Sequence, residues 1–471
     1  MFCKFIHKRF STLSLAVVGS GPGAIFTAKH LMKKHTNIVV DFYEKFPHPF
    51  GLIRTGVAPD HQDVKNIEHE FSHILSLPQT KFFGNVIVNK DTPLNLEILK
   101  KNYSAVLLAY GAHGDITLGI KNEDCKGCFN SRNFVNWYNS SFDRISNDKI
   151  ILNKTEDCVI IGNGNVAIDI ARMLSKSFED LKQFDVGDDV LEIICNNTIK
   201  NIHMVARRGV NQAAFTTKEI RELHGVKGLN TYIFEDEIKN SFEADSELQV
   251  LPNERRQLKR KVDLVKSFDM INNVNQIKKD GRKNLFLRFL NRPKEIISDN
   301  TGTISEIIFN KTKLIKGQAV ATEETTSIKC GLLFKSIGYK SHSIFDTVDF
   351  NSKSSVIIND KGKVSENKVI SDNLFVSGWV KTGAKGVLDT TLREAVDTAD
   401  TINKQIEGGF LKNKTPNYDE INSLIAKSGV KPISFKDWEK VSNYEIEEGK
   451  KKGKIRDKVT DINKVFELIK H

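Results

Sequence analysis

The segment LAVVGSGPGAIFTAKHL (residues 15–31) decides how this chain folds. A short apolar run leads into a glycine turn, and the turn leads into a stretch with helical spacing, so the segment predicts a strand, a tight turn and a helix. A near copy, CVIIGNGNVAIDIARML, returns at residues 158–174. A further strand follows each copy, which predicts an α/β protein built from two doubly wound units.

The first glycine turn has the composition of a phosphate cradle. Gly19 permits the tight turn, Gly21 leaves backbone N–H groups open to a pyrophosphate, and the small Ala24 lets the helix pack closely on the strand. The next strand, IVVDFYE, ends in Glu44, whose carboxylate can accept from both hydroxyls of an adenosine ribose. Because an acid repels a 2′-phosphate, the turn predicts a site for FAD or NAD, with a purely structural glycine turn as the alternative.

The second turn repeats this logic with Gly162, Gly164 and Ala167, but the strand after it ends differently. Arg207 and Arg208 stand where the first unit has its acid. Adjacent guanidinium groups suit bidentate capture of a phosphate monoester, so this site is predicted to prefer NADPH over NADH. The alternative is a pair of solvated arginines at a strand end.

Two dinucleotide sites in one chain predict an enzyme that moves a hydride from a nicotinamide to a flavin. The protein supplies position and electrostatics for this transfer. It needs no nucleophile, metal ion or strong acid of its own, so no metal site is predicted.

Size and charge narrow the remaining possibilities. The chain has 471 residues, of which 39% are hydrophobic, and this length predicts more than one domain. No apolar run approaches the roughly 18 to 20 residues of a membrane-spanning helix. The net charge of +11 favours an anionic partner, either an acidic protein or a membrane surface. Nucleic acid is disfavoured, because no zinc-finger spacing or RNA-binding signature is present.

The N-terminus has the composition of a targeting segment. Residues 1–40 contain no Asp or Glu, and MFCKFIHKRFST interleaves aromatic and aliphatic residues with cations. This predicts a mitochondrial transit segment at residues 1–12. An unstructured basic tail is the alternative.

The cysteines indicate a reducing compartment. There are six in the chain, too few for a disulfide framework at this length. Cys125 and Cys128 form the sequence CKGC, whose spacing permits a redox dithiol. The flanking residues predict a loop, which favours plain loop thiols.

Several long motifs, in order along residues 15–471, resemble the adrenodoxin reductase family of mitochondrial NADPH:ferredoxin reductases. They are PFGLIRTGVAPDHQDVKN (49–66), AYGA (109–112), FVNWYN (134–139), GNGNVAIDIARML (162–174), VARRG (205–209), FTTKEIRE (215–222), SIGYKS (336–341), SGWVKTGAKGV (377–387) and PISFKDWEK (432–440). The resemblance implies two Rossmann-like dinucleotide-binding domains, with the NADPH domain inserted in a discontinuous FAD domain. The implied boundaries are 13–113 for the first part of the FAD domain, 114–330 for the NADPH domain, and 331–471 for the second part with a C-terminal extension.

The resemblance also implies site residues. FAD contacts, together with the first glycine turn, are expected at Gly19, Gly21, Gly23, Glu44, Leu52, Val88, Trp379, Gly386, Val387 and Leu388. NADPH contacts are expected at Asn163, Gly164, Asn165, Val166, Arg207, Arg208, Glu219 and Gly386. The family's proton-handling His and Asp map to His61 and Asp169.

The implied activity passes electrons from NADPH, one at a time, to an acidic [2Fe–2S] ferredoxin in the mitochondrial matrix or at the inner membrane. The expected docking residues are Arg221, Arg255, Arg256, Lys259 and Arg260. Two other readings stay open at this point. One is a flavin-dependent disulfide reductase that uses Cys125 and Cys128, and the other is a non-catalytic nucleotide-binding adaptor.

Overall fold

The two glycine turns lie at the ends of interior strands of two separate sheets, of which the second is wholly parallel and the first is parallel except at one edge. This is the arrangement in the computed structural model, which describes residues 13–243 and 252–470. The turn at Gly19 follows a strand of the first sheet, and the turn at Gly162 follows a strand of the second. The predicted α/β class with two doubly wound units is confirmed. The predicted transit segment, residues 1–12, lies outside the described residues.

The strands of the described residues are, in chain order, β1 (Ser14–Val18), β2 (Val39–Tyr43), β3 (Thr80–Phe83), β4 (Ala105–Leu108), β5 (Gly114–Asp115), β6 (Cys128–Asn130), β7 (Asp157–Ile161), β8 (Asn201–Val205), β9 (Leu229–Phe234), β10 (Asp269–Ile271), β11 (Lys283–Arg288), β12 (Asn291–Ser298), β13 (Ile304–Ile315), β14 (Gln318–Lys329), β15 (Leu332–Lys335), β16 (Tyr339–Lys340), β17 (Phe350–Asn351), β18 (Val356–Ile357), β19 (Asn359–Asp360), β20 (Lys363–Glu366) and β21 (Val369–Val376).

The α-helices of the same residues are α1 (Pro22–Lys34), α2 (Leu52–Thr55), α3 (Gln62–Lys65), α4 (Ile67–Leu75), α5 (Leu96–Asn102), α6 (Ser131–Tyr138), α7 (Asn165–Ser175), α8 (Phe178–Leu181), α9 (Asp188–Cys195), α10 (Thr217–His224), α11 (Glu235–Glu243), α12 (Pro252–Lys266), α13 (Trp379–Thr382), α14 (Leu388–Glu407), α15 (Tyr418–Lys427), α16 (Phe435–Lys451) and α17 (Ile462–Ile469). Within residues 13–243 and 252–470, none of these helices combines the length and the apolar character needed to cross a membrane.

The first sheet joins both ends of the chain. Across the described residues its order is β19-β20-β21-β4-β1-β2-β3, and β21 lies parallel to β4. Alternate side chains of β1 enter different apolar clusters, Leu15 and Val17 on one face and Ala16 and Val18 on the other. Both faces of the sheet are therefore buried, which explains why its strands read as continuous apolar runs.

The second sheet contains the middle of the chain. Its order in the described residues is β10-β9-β11-β8-β7-β15-β6, and every pairing is parallel. β15 pairs with β7 and β6 of this sheet. The predicted end of the NADPH domain at residue 330 is therefore wrong, because β15 follows it and still belongs to the second sheet. After Lys335 the chain returns to the first sheet. The two segments that connect the sheets, one after β4 and one after β15, pair with each other through the short strands β5 and β16. The three apolar residues of β15, LLF, could pair in either sheet, and only the observed pairing shows which sheet they enter.

The segment after α16 connects the two sheets through buried charges. We call residues 452–459 the strap. Lys458 Nζ lies 2.7 Å from Asp185 Oδ2, and Lys65 Nζ lies 2.8 Å from the same oxygen. Lys458 and Lys65 belong to segments of the first domain, whereas Asp185 belongs to the second. Despite burial, the two ammonium groups hold the pKa of Asp185 far below its usual range.

A second buried carboxylate anchors the strap to its own domain. The Glu445 side chain on α16 is fully buried and accepts from Arg54 Nη2 at 2.6 Å and from Arg456 Nη1 at 3.0 Å. It also accepts from the backbone N–H of Val459 at 2.9 Å. A polar, lysine-rich C-terminal run is therefore a structural element in which the cations are paired.

Glu445→Ala should destabilise the protein strongly, because two guanidinium groups lose their shared counter-charge in a buried site. The expected loss in the free energy of unfolding is about 3–5 kcal/mol, measured by urea denaturation. Glu447→Ala, two residues along the same helix at an exposed position, is the matched control and should change it by less than about 0.5 kcal/mol. Equal effects of the two substitutions would contradict the anchoring role of Glu445.

Candidate functional site

The first cradle is closed on both sides by backbone. Gly19 has φ +104°, and a Cβ there would lie 2.5 Å from the carbonyl oxygen of Ala109. A Cβ on Gly23 would lie 2.7 Å from Gly378 Cα, so the turn and the loop after β21 touch through glycines. Gly21 caps α1 without a side-chain hydrogen bond to the helix N–H groups. The N-terminus of α1 therefore presents donors on the side where a pyrophosphate is expected.

Glu44 lies beside this turn. The residue is buried, and its Oε2 accepts from the backbone N–H of Ser20 at 3.0 Å and from Ser20 Oγ at 2.8 Å. Its Oε1 accepts from the N–H of Phe46 at 3.1 Å. Burial raises the pKa of Glu44, and these hydrogen bonds oppose that shift. The carboxylate stands where the sequence predicts a ribose contact, and it also fastens the turn.

Of the other residues expected around FAD, Leu52 and Trp379 adjoin glycines that touch the first turn. Gly51, next to Leu52, approaches Gly21 so closely that its Cβ would lie 3.0 Å from Gly21 Cα. Trp379 begins α13, and Val387 caps α14, which begins at Leu388 and follows Gly386 with its φ of +82°. Val88 is buried in the apolar cluster on one face of this sheet.

Ser377 fastens this loop to the first cradle. Its Oγ lies 2.9 Å from Thr27 Oγ1 and donates to the carbonyl oxygen of Gly23 at 3.2 Å. Hydrogen bonds therefore join the loop after β21 directly to α1. Sequence reasoning missed Ser377 and Thr27, because neither stands in a glycine turn.

The second cradle follows β7. Gly162 has φ +116°, and a Cβ there would lie 2.0 Å from the carbonyl oxygen of Ser336. The carbonyl oxygen of Asn163 accepts from the N–H of Phe215 at 3.0 Å, and Asn165 Oδ1 accepts from the N–H of Thr216 at 3.0 Å. These asparagines tie the loop before α10 to the turn. Gly164 caps α7, and Val166 packs partly buried behind it.

Arg207 and Arg208 follow β8 and are both exposed. Neither guanidinium has a hydrogen-bond or ion-pair partner among the described residues. Partial burial lowers the pKa of Arg208, and the neighbouring charge of Arg207 lowers it further. Two unpaired like charges at the rim of a nucleotide cradle are suited to an anion.

Between the cradles, side chains of both domains meet in a charged cleft. His61 Nε2 lies 2.7 Å from Glu222 Oε2, and His61 Nδ1 lies 3.9 Å from Asp169 Oδ1. The guanidinium of Arg172 contacts Asp60, Glu222 and the ring of His61. The structure thus brings the predicted pair His61 and Asp169 together across the domain boundary.

The cleft shifts the proton affinities of this pair. Burial raises the pKa of Asp169 to about 6, and the nearby charges of Arg172 and His61 only partly oppose this. Burial lowers the pKa of His61, but the hydrogen bond to Glu222 and the charge of Asp169 outweigh it, so that the net shift is upward. Both pKa shifts are upward, so each group keeps its proton to a higher pH than it would in water.

Three buried oxygens in this region have no hydrogen-bond partner among the described residues: Asp169 Oδ1, Glu219 Oε2 and the hydroxyl of Tyr138. Orphaned buried polar atoms indicate a ligand or ordered water. Together with cradles that a Cβ would fill and the unpaired arginines, they show that the residues present fit two dinucleotides. Arg172, Glu222 and Tyr138 were missed as site residues, although all three lie in the motifs that carry the family resemblance.

The remaining thiol pair lies elsewhere. Cys125 Sγ and Cys128 Sγ are 3.4 Å apart, and Cys128 pairs with Leu333 on the edge of the second sheet. Through β15 that position is level with Val159, before the glycine turn that ends β7. The pair is therefore displaced from the nucleotide edge, which disfavours the disulfide-reductase reading. Within the described residues no cluster of three or more His, Cys, Asp or Glu side chains could hold a metal ion.

Asp169→Asn should stabilise the protein increasingly as pH rises. The folded-state pKa of about 6 lies above the ordinary 3.8, so the parent is penalised for ionising Asp169 once pH exceeds 3.8, and the penalty is complete above 6. The advantage of the variant in unfolding free energy should grow by about 1 kcal/mol between roughly pH 5 and pH 7.5, measured by urea denaturation. A difference that does not change with pH would contradict the burial of this charge.

Comparison with known proteins agrees with this geometry. No family model matches the chain. The mitochondrial NADPH:adrenodoxin oxidoreductase of Salvelinus fontinalis is 35% identical over 467 residues, covering 97% of this chain and 91% of that protein. The Homo sapiens protein of the same name is 33% identical over 477 residues, covering 100% of this chain and 94% of that protein.

A solved structure extends the likeness to the fold. Mycobacterium tuberculosis FprA in complex with NADPH superposes with a TM-score of 0.86 at 30% identity, covering 98% of this chain and 100% of FprA. Identities of 30% or more, each over at least 97% of this chain, show the family. The chain belongs to the family of NADPH:adrenodoxin oxidoreductases.

Proposed function

We propose that this chain is a flavoprotein that oxidises NADPH and passes the electrons, one at a time, to an acidic mitochondrial [2Fe–2S] ferredoxin. The observation that carries the proposal is the pair of cradles, one beside a buried carboxylate and the other beside two unpaired arginines. The cleft between them holds proton-handling side chains from both domains. The names of the relatives, NADPH:adrenodoxin oxidoreductase, agree with this reaction.

The first cradle is assigned to FAD. Gly19, Gly21 and Gly23 would surround its pyrophosphate, and Glu44 would accept from the adenosine ribose. Leu52, Val88, Trp379 and residues 386–388 are assigned to the rest of the cofactor. When bound, FAD accepts the electron pair of a hydride and releases electrons singly, which is the conversion that a one-electron iron–sulfur partner requires.

The second cradle is assigned to NADPH. Residues 163–166 would hold the pyrophosphate at the start of α7, and Arg207 and Arg208 would bind the 2′-phosphate. Glu219 on α10, with its orphaned Oε2, is assigned to the nicotinamide end. His61 and Asp169 are assigned to proton handling in the cleft, where the pKa values of both are raised.

The surface formed by α10 and α12 is proposed as the ferredoxin dock. Arg221, Arg255, Arg256, Lys259 and Arg260 are all exposed on these helices, which pack against each other. α10 also carries Glu219 and Glu222, which face the cleft. A partner seated on this helix pair would therefore lie behind the wall of the nicotinamide site, and an acidic partner would be steered toward it.

The relatives are named mitochondrial, and we place this chain in the same organelle. Residues 1–12, basic and free of acids, are proposed as its targeting segment. The chain is assigned to the matrix, with the basic surface allowing contact with the anionic inner membrane.

The nucleotide assignment predicts a selective loss. In Arg207→Ala/Arg208→Ala, the Michaelis constant for NADPH should rise by about 100-fold, because two charge-assisted contacts to the 2′-phosphate are lost. The constant for NADH should change by less than about threefold, since NADH carries no such phosphate. Steady-state kinetics with both nucleotides measures the difference. A parallel rise for both would remove the assignment.

The docking assignment predicts a charge effect on association. In Arg256→Glu/Lys259→Glu, the second-order rate of ferredoxin reduction at low salt should fall by about tenfold or more, and its dependence on ionic strength should weaken. Stopped-flow mixing of reduced enzyme with ferredoxin measures this rate. Lys412→Glu/Lys427→Glu makes the same charge change at exposed positions outside α10 and α12. If both double variants slow the reaction equally, the net charge of the protein controls the rate, and the assignment of the dock to α10 and α12 is wrong.

The overall reaction is tested by anaerobic titration of the purified protein with NADPH, followed by a mitochondrial-type ferredoxin. The flavin absorbance should bleach with NADPH and recover as ferredoxin is reduced, and Cys125→Ser should behave like the parent. A colourless protein would support the adaptor reading. Bleaching without electron transfer to ferredoxin, together with thiol-disulfide turnover that Cys125→Ser abolishes, would support the disulfide-reductase reading.

A further inference from the structure

Glu237 is a buried carboxylate near the backbone of Arg207 and Arg208, and it has no part in the proposed reaction. Glu237, in the first turn of α11, is only 2% exposed. Its Oε1 accepts from Arg288 Nη2 at 2.7 Å and Nε at 3.0 Å, from Asn291 Nδ2 at 2.9 Å and from Lys311 Nζ at 3.3 Å. Its Oε2 accepts from the backbone N–H of Phe289 at 2.7 Å.

These contacts organise the tight connection between β11 and β12. Four of the five come from within residues 288–291, so a single carboxylate holds together the whole connection. Leu290 in this segment has φ +57°, a left-handed conformation that is uncommon for a leucine. Such a conformation persists only where the surroundings over-determine it, and the carboxylate of Glu237 supplies that constraint.

The same connection holds the backbone of the arginine pair. The N–H of Asn291 donates to the carbonyl oxygen of Ala206 at 3.0 Å, and the N–H of Leu290 donates to that of Arg208 at 3.3 Å. Between them, Thr312 Oγ1 donates to the carbonyl oxygen of Arg207 at 2.7 Å. The carbonyl groups of three successive residues, 206–208, therefore each accept a hydrogen bond. Two of the donors lie in the connection that Glu237 holds, and the third, Thr312, is next to Lys311, which also contacts Glu237.

We propose that Glu237 is a positioning residue that sets the preference of this protein for a 2′-phosphorylated nucleotide. It does so without touching the nucleotide, by fixing the connection 288–291 and through it the backbone from which Arg207 and Arg208 project. The proposal rests on the assignment of these arginines to the 2′-phosphate. Two flexible side chains that repel each other bind a small anion well only when their backbone is held still.

Glu237→Gln is the first test, because glutamine keeps the shape and one acceptor but removes the charge. In either orientation its NH2 group would face a donor, the N–H of Phe289 in one and Arg288 and Lys311 in the other, so the connection should loosen. The Michaelis constant for NADPH should rise by about five- to tenfold, and that for NADH by less than about twofold. The dissociation constant of 2′,5′-ADP should rise in parallel with that for NADPH, while that of 5′-AMP stays the same.

Thr312→Val is the second variant, for use should Glu237→Gln fold poorly. It removes only the hydroxyl that holds the carbonyl oxygen of Arg207 and should produce a smaller selective rise, about two- to fourfold for NADPH. Asp185→Asn, which weakens the contact of the strap at the domain boundary, is the control. A disturbance of the domain interface should alter kinetics with both nucleotides alike.

The substitution is then repeated in the Arg207→Ala/Arg208→Ala background. If Glu237 acts through the arginines, Glu237→Gln should add less than about twofold there. An equal rise for NADPH and NADH, or an undiminished effect in that background, overturns the proposal for Glu237 while the arginine assignment stands. If the arginine variant itself keeps the preference for NADPH, the nucleotide assignment fails, and that outcome is visible before Glu237 is considered.

Discussion

A hydride passes between two bound nucleotides only when their reacting rings touch, so two cradles built on separate sheets must be held in one relative position. In this protein, buried ion pairs across the domain boundary provide that constraint. Asp185 of the second domain forms ion pairs with Lys65 and Lys458 of the first domain. Arg172 of the second domain contacts Asp60 of the first domain. The cleft, and every group in it, depends on these contacts.

Charges are suited to this task because their hydrogen bonds are directional. An apolar interface of the same area could slide by a few ångströms with little loss, whereas a carboxylate held by two ammonium groups has no equivalent position nearby. Arg172 is both part of this boundary and a neighbour of His61 and Asp169. The interaction that aligns the domains therefore also sets the electrostatic environment in which His61 and Asp169 titrate.

The same division of labour recurs at a smaller scale in each cradle. The glycines remove side chains so that backbone segments can meet, as Gly23 meets Gly378 and Gly162 meets Ser336. Polar side chains then fasten the segments that have met: Ser377 on the first cradle, Asn165 on the second, and Glu237 beneath the arginines. The missing side chains of the glycines allow the backbone segments to approach, and hydrogen bonds then fix the segments in position.

Local sequence was enough to predict both cradles, the acid after one and the arginines after the other, since each unit is continuous in sequence, from residue 15 to Glu44 and from residue 158 to Arg208. Only the tertiary structure showed which sheet β15 joins. The same is true of the partners of the buried charges in the strap and of the partners of Glu237. Each joins residues far apart in sequence, and neither spacing nor composition records which distant partner a buried charge or an apolar strand will find.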